Sequence, residues 1–467
     1  MDRASGWAIE IFGGSKLKDA RLRSRLVNYG GAQAADPTAS TAQACSGSKA
    51  EREGAYRLLE NDRVDPKEID EGPYAHCARM CAGRRRLLAI QDTTSVKVHH
   101  QPLAESLAEE GSPTGFNVHS LLMVCGETGE VLGVADQMRW IREKSRPGKE
   151  ARRQRDYRDK ESAKWEAAAE AGRSRIGGDA QWISVADREA DIYEFLSFHV
   201  GHRLDFVVRA SWNRRIAEDL GHVFDAVREA PVIGERLVRI EQRGAQRARY
   251  GQRERPARPR RDVRTQLQAT SVTLRPPRNR STHTPDSIEV HVVRVAEVDA
   301  VDHDAALEWI LLTSLPIDSP SAIERVVRDY EQRWLIEQFF KCWKTGCRLE
   351  ARPLQSLNAV ERMMAITAPI AVRILQLQIA AAQPASAEQP APLGEDEWRC
   401  LWVTTSNEPL PKSKPSASWA YTAVAKLGGW YDSKGTGRAG WQALWTGWMR
   451  LQQRLAGWQA ANQAAQM

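Results

Sequence analysis

The sequence has few cysteines, and nothing in their arrangement would build a disulfide scaffold. Seven stand at Cys45, Cys77, Cys81, Cys125, Cys342, Cys347 and Cys400. An odd number at irregular spacing points to a reducing compartment. His76, Cys77 and Cys81 lie close together, but no second ligand pair stands at zinc spacing, which argues against a metal module there. Residues 1–14 lack a basic-then-apolar leader. No apolar run is clean enough to span a bilayer. The longest, residues 363–382, is interrupted by Pro369, Arg373, Gln376 and Gln378 and is expected as a buried helix. Together these absences predict a soluble, cytoplasmic protein with no membrane partner.

What is present is ordinary for a globular chain: 467 residues, 42% apolar and 27% charged. That length is expected to divide into about two to four domains. The net charge of +7 favours a polyanionic partner, and the arginines are clustered.

Residues 1–70 read as a small basic helical domain. Arg21 and Arg25, four apart, share a helix face, and a second helix after residues 46–48 carries Lys49, Arg52 and Arg57. Such helices lay arginines on phosphates or guanine edges; a solvated basic face gives the same pattern. Residues 87–92 are an apolar run of strand length that ends on Asp92. Residues 118–125 and 131–134 flank a glycine-containing turn and predict a hairpin. Residues 182–187 form another short strand, ending on Asp187, with a helix opening at Arg188. Residues 206–209 and 306–313 are buried strands. Residues 142–158 read as a basic surface loop, and residues 212–305 as an inserted β-rich subdomain around an arginine-rich stretch at 243–264.

Ser319-Pro320-Ser321 carries helix-start signals. The helix it opens holds the most unusual stretch of the chain, residues 330–344. At about 100° per residue, Tyr330, Arg333, Glu337, Lys341 and Lys344 fall in one stripe, opposite Leu335, Ile336, Phe339 and Trp343. One carboxylate among cations is odd for plain solvation and suits a metal ligand beside phosphates. Residues 383–392 form a Pro/Ala-rich linker. Beyond it, Trp441, Leu444, Trp445, Trp448 and Leu455 make one helical stripe, either core or interface. Its place in a short segment beyond that linker favours an interface.

Three acids thus stand at Asp92, Asp187 and Glu337. Singly, each has a structural explanation: a strand end, a helix cap and an i,i+4 ion pair. Their order, strand-hairpin, strand, strand, helix, is what a ribonuclease H-like α/β core needs. Three converging carboxylates can hold two Mg2+ ions for phosphoryl transfer, with Mn2+ as the expected substitute.

The spacing Tyr330-x2-Arg333-x3-Glu337-x6-Lys344 resembles the Tyr-Arg-Glu-Lys signature of the insertion-sequence-4 family of bacterial DDE transposases. Other blocks similar to that family are residues 54–57, 92–95, 160–165, 187–191, 427–429 and 432–434. Residues 96–100 depart from it. The resemblance implies cut-and-paste transposition by a homodimer that synapses two inverted transposon ends on double-stranded DNA. It also implies a location on the bacterial nucleoid. Nicking, hairpin formation, hairpin opening and strand transfer would share one site. Tyr330, Arg333, Lys341, Lys344, Arg188 and Arg209 would contact phosphates, and Arg21, Arg25 and Arg57 would contact the end DNA. Trp309 would stack on a flipped base, although a core tryptophan at a strand end fits the same position. The expected domains are residues 1–70 for DNA binding, 71–382 for catalysis and 383–467 for dimerisation. A ribonuclease H-fold nuclease that cuts without joining, and a non-catalytic DNA-binding inhibitor, are the competing readings.

Overall fold

The computed structural model describes residues 6–109, 115–142, 157–218, 221–240, 261–277, 284–298, 306–380, 389–433 and 437–464. Residues 243–260 of the expected arginine-rich stretch at 243–264, most of the basic loop at 142–158, most of the 383–392 linker and Lys434 lie outside them.

In chain order the first elements are α1 (Gly6–Phe12), α2 (Ala20–Ala35), α3 (Thr41–Ala44), α4 (Lys49–Leu59) and α5 (Pro66–Cys81). Then come β1 (Arg86–Val96), α6 (Gln101–Glu109), β2 (Phe116–Cys125), β3 (Val131–Trp140), α7 (Lys164–Ile176), β4 (Gln181–Ala186), α8 (Tyr193–Gly201) and β5 (Asp205–Arg209). They are followed by α9 (Val223–Glu229), β6 (Val232–Ile240), β7 (Arg261–Leu274), β8 (Ile288–Glu297) and β9 (Glu308–Thr313). The chain closes with α10 (Pro320–Glu331), α11 (Trp334–Lys341), α12 (Leu357–Ala380), α13 (Glu395–Thr405), α14 (Ala417–Leu427) and α15 (Trp441–Ala464). The fold is mixed α/β and divides into two compact units. The first is Met1–Gly148, Ala167–Ala180 and Trp334–Met467; the second is Lys149–Glu166 and Gln181–Arg333.

In the first unit, β1, β2 and β3 form an antiparallel array with β2 in the middle. The expected hairpin is β2–β3. β2 is buried along its whole length, so it reads as a continuous apolar run. β1 does not stop at Asp92. It continues to Val96 because Phe116 to Leu121 of β2 supply pairing partners past the end of the apolar run. Asp92 is therefore a mid-strand residue and not a strand end. Helices α5 and α12 pack on β3. α12 is long and apolar enough to cross a membrane, but most of it is buried inside the unit.

The N-terminal helices are capped by Asp19, Ser48 and Asp65, each accepting a backbone N–H in the first turn, at about 1 kcal/mol per cap. Two buried arginines tie them to the later helices. Arg352 donates to the carbonyls of Pro37, Ala39 and Cys347 and to Gln33 Oε1 at 2.8–3.2 Å. Arg362 donates to the Val64 carbonyl at 2.7 Å and to the Leu59 carbonyl at 2.5 Å.

Helices α13, α14 and α15 share a core that includes Trp398, Leu401, Val424, Leu444, Trp448, Leu451 and Leu455. This corrects the expectation that the tryptophan stripe is an interface. Leu444, Trp448 and Leu455 are buried, while Trp441 and Trp445 are half-buried and stacked 5.4 Å apart. The reason is a close helix crossing. Gly428 and Gly447 let α14 and α15 approach until a Cβ on either would collide with a carbonyl of the other helix, those of Ala443 and Val424. The stripe is thereby pressed into its own chain.

In the second unit, β4 and β5 pair in parallel, β5 pairs antiparallel with β9, and β8, β7 and β6 follow antiparallel from β9. The strand-rich stretch expected as an inserted subdomain is thus hydrogen-bonded into the same mixed sheet through β9. Trp165, Phe195, Phe206, Val208, Val272, Val292 and Leu312 belong to its core. As predicted, α10 opens at an N-cap Ser319 with Pro320 in the first turn.

Candidate active site

The expected helix over residues 330–344 is not continuous. α10 ends at Glu331, α11 begins at Trp334, and a π-helical turn occupies Cys342–Gly346. No glycine or proline marks the break at Gln332 and Arg333. The predicted stripe is thereby divided: Tyr330 and Arg333 belong to the second unit, and Glu337, Lys341 and Lys344 to the first.

In the first unit, α11 packs against β1. This brings the element carrying the exposed Glu337 onto the strand carrying the half-buried Asp92. Asp92 Oδ1 accepts the Thr93 N–H at 2.7 Å. Lys344 projects from the π turn to the same strand, where its ammonium donates to Thr94 Oγ1 at 2.8 Å and to the Ser95 carbonyl at 3.4 Å. Burial lowers the Lys344 pKa first, with Lys97 adding to it, while Glu350 and Asp92 pull the other way. Lys344 thus lies within electrostatic reach of Asp92. The helical anchor of Thr94 and Lys344 was not expected from sequence; a π turn shifts side-chain phase, and helical-wheel spacing does not capture it. Lys341 is exposed.

In the second unit, Asp187 follows β4 directly. Its Oδ1 accepts the Glu189 N–H at 2.9 Å, capping the short 3-10 turn Arg188–Ala190. The capping role weighed from sequence is therefore real, and the carboxylate is held at the strand end by it. Arg188 beside it is exposed. Asp191 is spent on structure: it accepts from the Arg214 guanidinium and from the backbone N–H groups of Ser211 and Trp212 at 2.7–2.9 Å.

Tyr330, expected to contact phosphates, is only 5% exposed. Its ring meets Trp309 edge-on at 5.4 Å, and its hydroxyl hydrogen-bonds Arg209. Burial raises the Tyr330 pKa, Asp187 adds to this, and Arg333 and Arg209 oppose it. Arg209 also donates to the Glu308 carbonyl at 2.9 Å, so it braces the strand that carries Trp309. Glu308 itself accepts from Arg228 and Arg294. Trp309 is half-buried. Asp187, Arg188, Arg209, Trp309, Tyr330 and Arg333 thus form one electrostatically linked group.

On the N-terminal helices, Arg21, Arg25 and Arg57 are all exposed. Arg21 bonds Asp19 at 3.2–3.3 Å and Arg57 lies 3.7 Å from Glu53. Exposed pairs of this kind are weak and yield readily to a phosphate. A cavity of about 1410 Å³ in the first unit is lined by Trp7, Tyr29, His76, Arg373, Glu397 and Leu455, among others. Neither Asp92 nor Glu337 lines it.

Two stretches match known families. Residues 4–64 match the family described as transposase DNA-binding, and residues 182–372 match the transposase DDE domain. The chain carries both domains of a DNA-binding transposase. The DDE match takes in Asp187, Arg188, Arg209, Trp309, Tyr330, Arg333, Glu337, Lys341 and Lys344, whereas Asp92 lies ahead of it. The DNA-binding match takes in Arg21, Arg25 and Arg57. DDE transposases are DNA-cutting and DNA-recombining enzymes that use divalent metal ions. The transposase's candidate donors suit such ions, since carboxylate oxygens are the hard ligands that Mg2+ and Mn2+ take. Among the described residues, no three His, Cys, Asp or Glu side chains form a ready-made metal cluster.

Proposed function

We propose that the transposase performs cut-and-paste transposition with Asp92, Asp187 and Glu337 as its three catalytic acids, and that it belongs to the insertion-sequence-4 family. The observation that carries this reading is the Lys344 anchor. The lysine of the Tyr-Arg-Glu-Lys spacing reaches the β1 strand two residues beyond Asp92, on a turn that directly follows the Glu337 helix. Asp92 and Glu337 would hold divalent ions together with Asp187, two Mg2+ or Mn2+ in the full reading. When bound, such ions activate the attacking oxygen and stabilise the leaving one. The chain's own residues supply the rest. Lys344, Arg333 and Arg188 offer cations to the phosphates beside the cut. Arg209 braces Trp309, whose half-exposed ring is available to a base turned out of the stack. Nicking, hairpin formation, hairpin opening and strand transfer are all displacements at phosphorus, so one set of groups can serve each step.

In this reading residues 71–382 form a ribonuclease H-like catalytic region, residues 1–70 bind the transposon ends and residues 383–467 contribute to a homodimer, acting in the bacterial cytoplasm. The test uses the purified protein, a plasmid carrying the DNA that flanks the gene on both sides, a target plasmid and Mg2+. Nicks, hairpins and joined products are expected. Cleavage without hairpins or joining would make it a simple endonuclease, and binding without cleavage an inhibitor. Asp92→Ala, Asp187→Ala and Glu337→Ala should each lower nicking by about a thousand-fold or more while leaving DNA binding intact. Wild-type nicking by any one would remove that residue from the site.

A further inference from the structure

Resting on the reading of Asp92 as a metal ligand, we infer that His119 is a positioning residue for that carboxylate, acting from the opposite face of β1. His119 sits on β2 with no exposed surface. It pairs directly across the strands with Thr93. One ring nitrogen, Nδ1, lies 2.9 Å from Thr93 Oγ1, and the other, Nε2, lies 3.0 Å from Gln91 Oε1. Both partners are the immediate chain neighbours of Asp92.

Strand alternation sets the geometry. Gln91 and Thr93 point to one face of β1 and Asp92 to the other. An imidazole bonded to both flanking side chains therefore fixes the backbone on either side of the carboxylate without touching it. Thr93 completes the link, because its N–H binds Asp92 Oδ1 at 2.7 Å. A rotation of that peptide would move the carboxylate oxygen with it.

The ring's protonation follows from its partners. Gln91 Oε1 can only accept, so Nε2 carries the proton and donates. In the neutral ring Nδ1 then accepts from the Thr93 hydroxyl. Each flanking residue is held by a different nitrogen, which neither an asparagine nor a glutamine can reproduce in full. Outer-shell partners of metal ligands commonly change metal affinity or activity by about 10–100-fold. His119 acts through one more bond than such partners do, so a change near ten-fold is expected.

The experiment compares wild type, His119→Gln, Thr93→Val and Asp92→Ala as full-length proteins. Two quantities are read: the Mg2+ concentration that half-saturates nicking of the flanking-DNA plasmid, and Mn2+ binding to the DNA-free protein by electron paramagnetic resonance. His119→Gln should raise the half-saturating Mg2+ about ten-fold and weaken Mn2+ binding similarly, with activity recovering at high metal. Thr93→Val removes one hydroxyl at almost constant shape. It should shift both quantities by several-fold in the same direction, and it serves alone if His119→Gln fails to fold. A lowered Tm with unchanged metal dependence in these variants would make His119 merely structural and overturn the proposal, provided Asp92→Ala loses nicking and Mn2+ binding. If Asp92→Ala instead nicks and binds Mn2+ as wild type does, the reading of Asp92 itself fails, and this inference falls with it.

Discussion

Acid should loosen the strand that delivers Asp187, through one buried histidine. His199 on α8 has no exposed surface. Its Nδ1–H donates to the Phe195 carbonyl at 2.9 Å, and its Nε2 accepts from the Ser184 hydroxyl at 2.8 Å. Ser184, three residues before Asp187, also accepts from Trp182 Nε1 at 3.1 Å. The Phe195 carbonyl can only accept, so in the neutral ring Nδ1 carries the proton and Nε2 accepts; protonation would force the Ser184 hydroxyl to turn from donor to acceptor. Burial lowers its pKa from 6.5 to about 4; the Phe195 carbonyl opposes this, and the nearby His202 adds a lesser push downward. Because the folded value lies below the unfolded one, the unfolded chain takes up the proton first. Stability from this group is complete above about pH 6.5 and is lost as pH falls toward 4, where the loss levels off. At pH 5 the unfolded ring is nearly all protonated and the folded ring nearly all neutral. That is about 1.5 units at roughly 1.4 kcal/mol each, or about 2 kcal/mol.

The measurement is hydrogen exchange of peptides covering β4 and α8 at pH 7 and pH 5, corrected for intrinsic exchange, in wild type and His199→Gln. Other titrating groups contribute equally to both proteins and cancel. The glutamine amide can still receive the Ser184 hydroxyl but does not titrate. The opening free energy of wild type should therefore fall by about 2 kcal/mol more than that of the variant between the two pH values. Equal pH dependence in the two proteins would refute the assignment of a neutral, depressed His199.

Arg352→Lys should cost about 2–3 kcal/mol in urea unfolding, because an ammonium cannot reach the three carbonyls and the amide oxygen that the guanidinium fork serves. Gly447→Ala should cost about 1–3 kcal/mol and red-shift tryptophan emission, since its Cβ meets the Val424 carbonyl and forces α14 from α15. Lys344→Gln should lower single-turnover nicking by about ten-fold or more with DNA affinity nearly unchanged. DNA affinity itself should fall steeply with salt, and a flat dependence would contradict phosphate contacts by the arginines.

The parts of this fold legible in sequence are those that local pattern determines. The β2–β3 hairpin follows from two apolar runs around a glycine turn, and the α10 start follows from Ser319 and Pro320. What sequence hid depends on distant partners. The end of the apolar run at Asp92 looked like the end of a strand, but β2 continues to pair beyond it. The wheel that aligned Tyr330 with Lys344 assumed one helix, whereas the chain breaks at Gln332 without a residue that compels it. Tyr330 is buried because Trp309 and Arg209, more than 20 residues and more than 120 residues earlier in the chain, close over it. The tryptophan stripe was legible as a stripe, but only the Gly428–Gly447 crossing decides that it faces inward. Arg352 and Arg362 carry no local signal at all, and only their distant backbone carbonyl partners make them internal ties.

The arginines around Asp187 make a different argument. Arg209 is held below its ordinary pKa first by burial, and then by Arg188 and Arg333, with Tyr330 alone acting against them among its leading influences. Three guanidinium groups close enough to disturb one another cost stability, since each makes the others harder to keep charged. Elsewhere in the same unit the buried guanidinium of Arg214 is matched to Asp191, and Arg228 and Arg294 share Glu308. Around Arg209, by contrast, Arg188 and Arg333 both act on the same guanidinium, and Arg333 also acts on Tyr330. Such a concentration of positive charge favours a polyanion, because each phosphate that approaches lowers the mutual repulsion as well as gaining its own attraction. In the proposed reading, this concentration of cations near Asp187 is what the carboxylate needs to work on a DNA backbone.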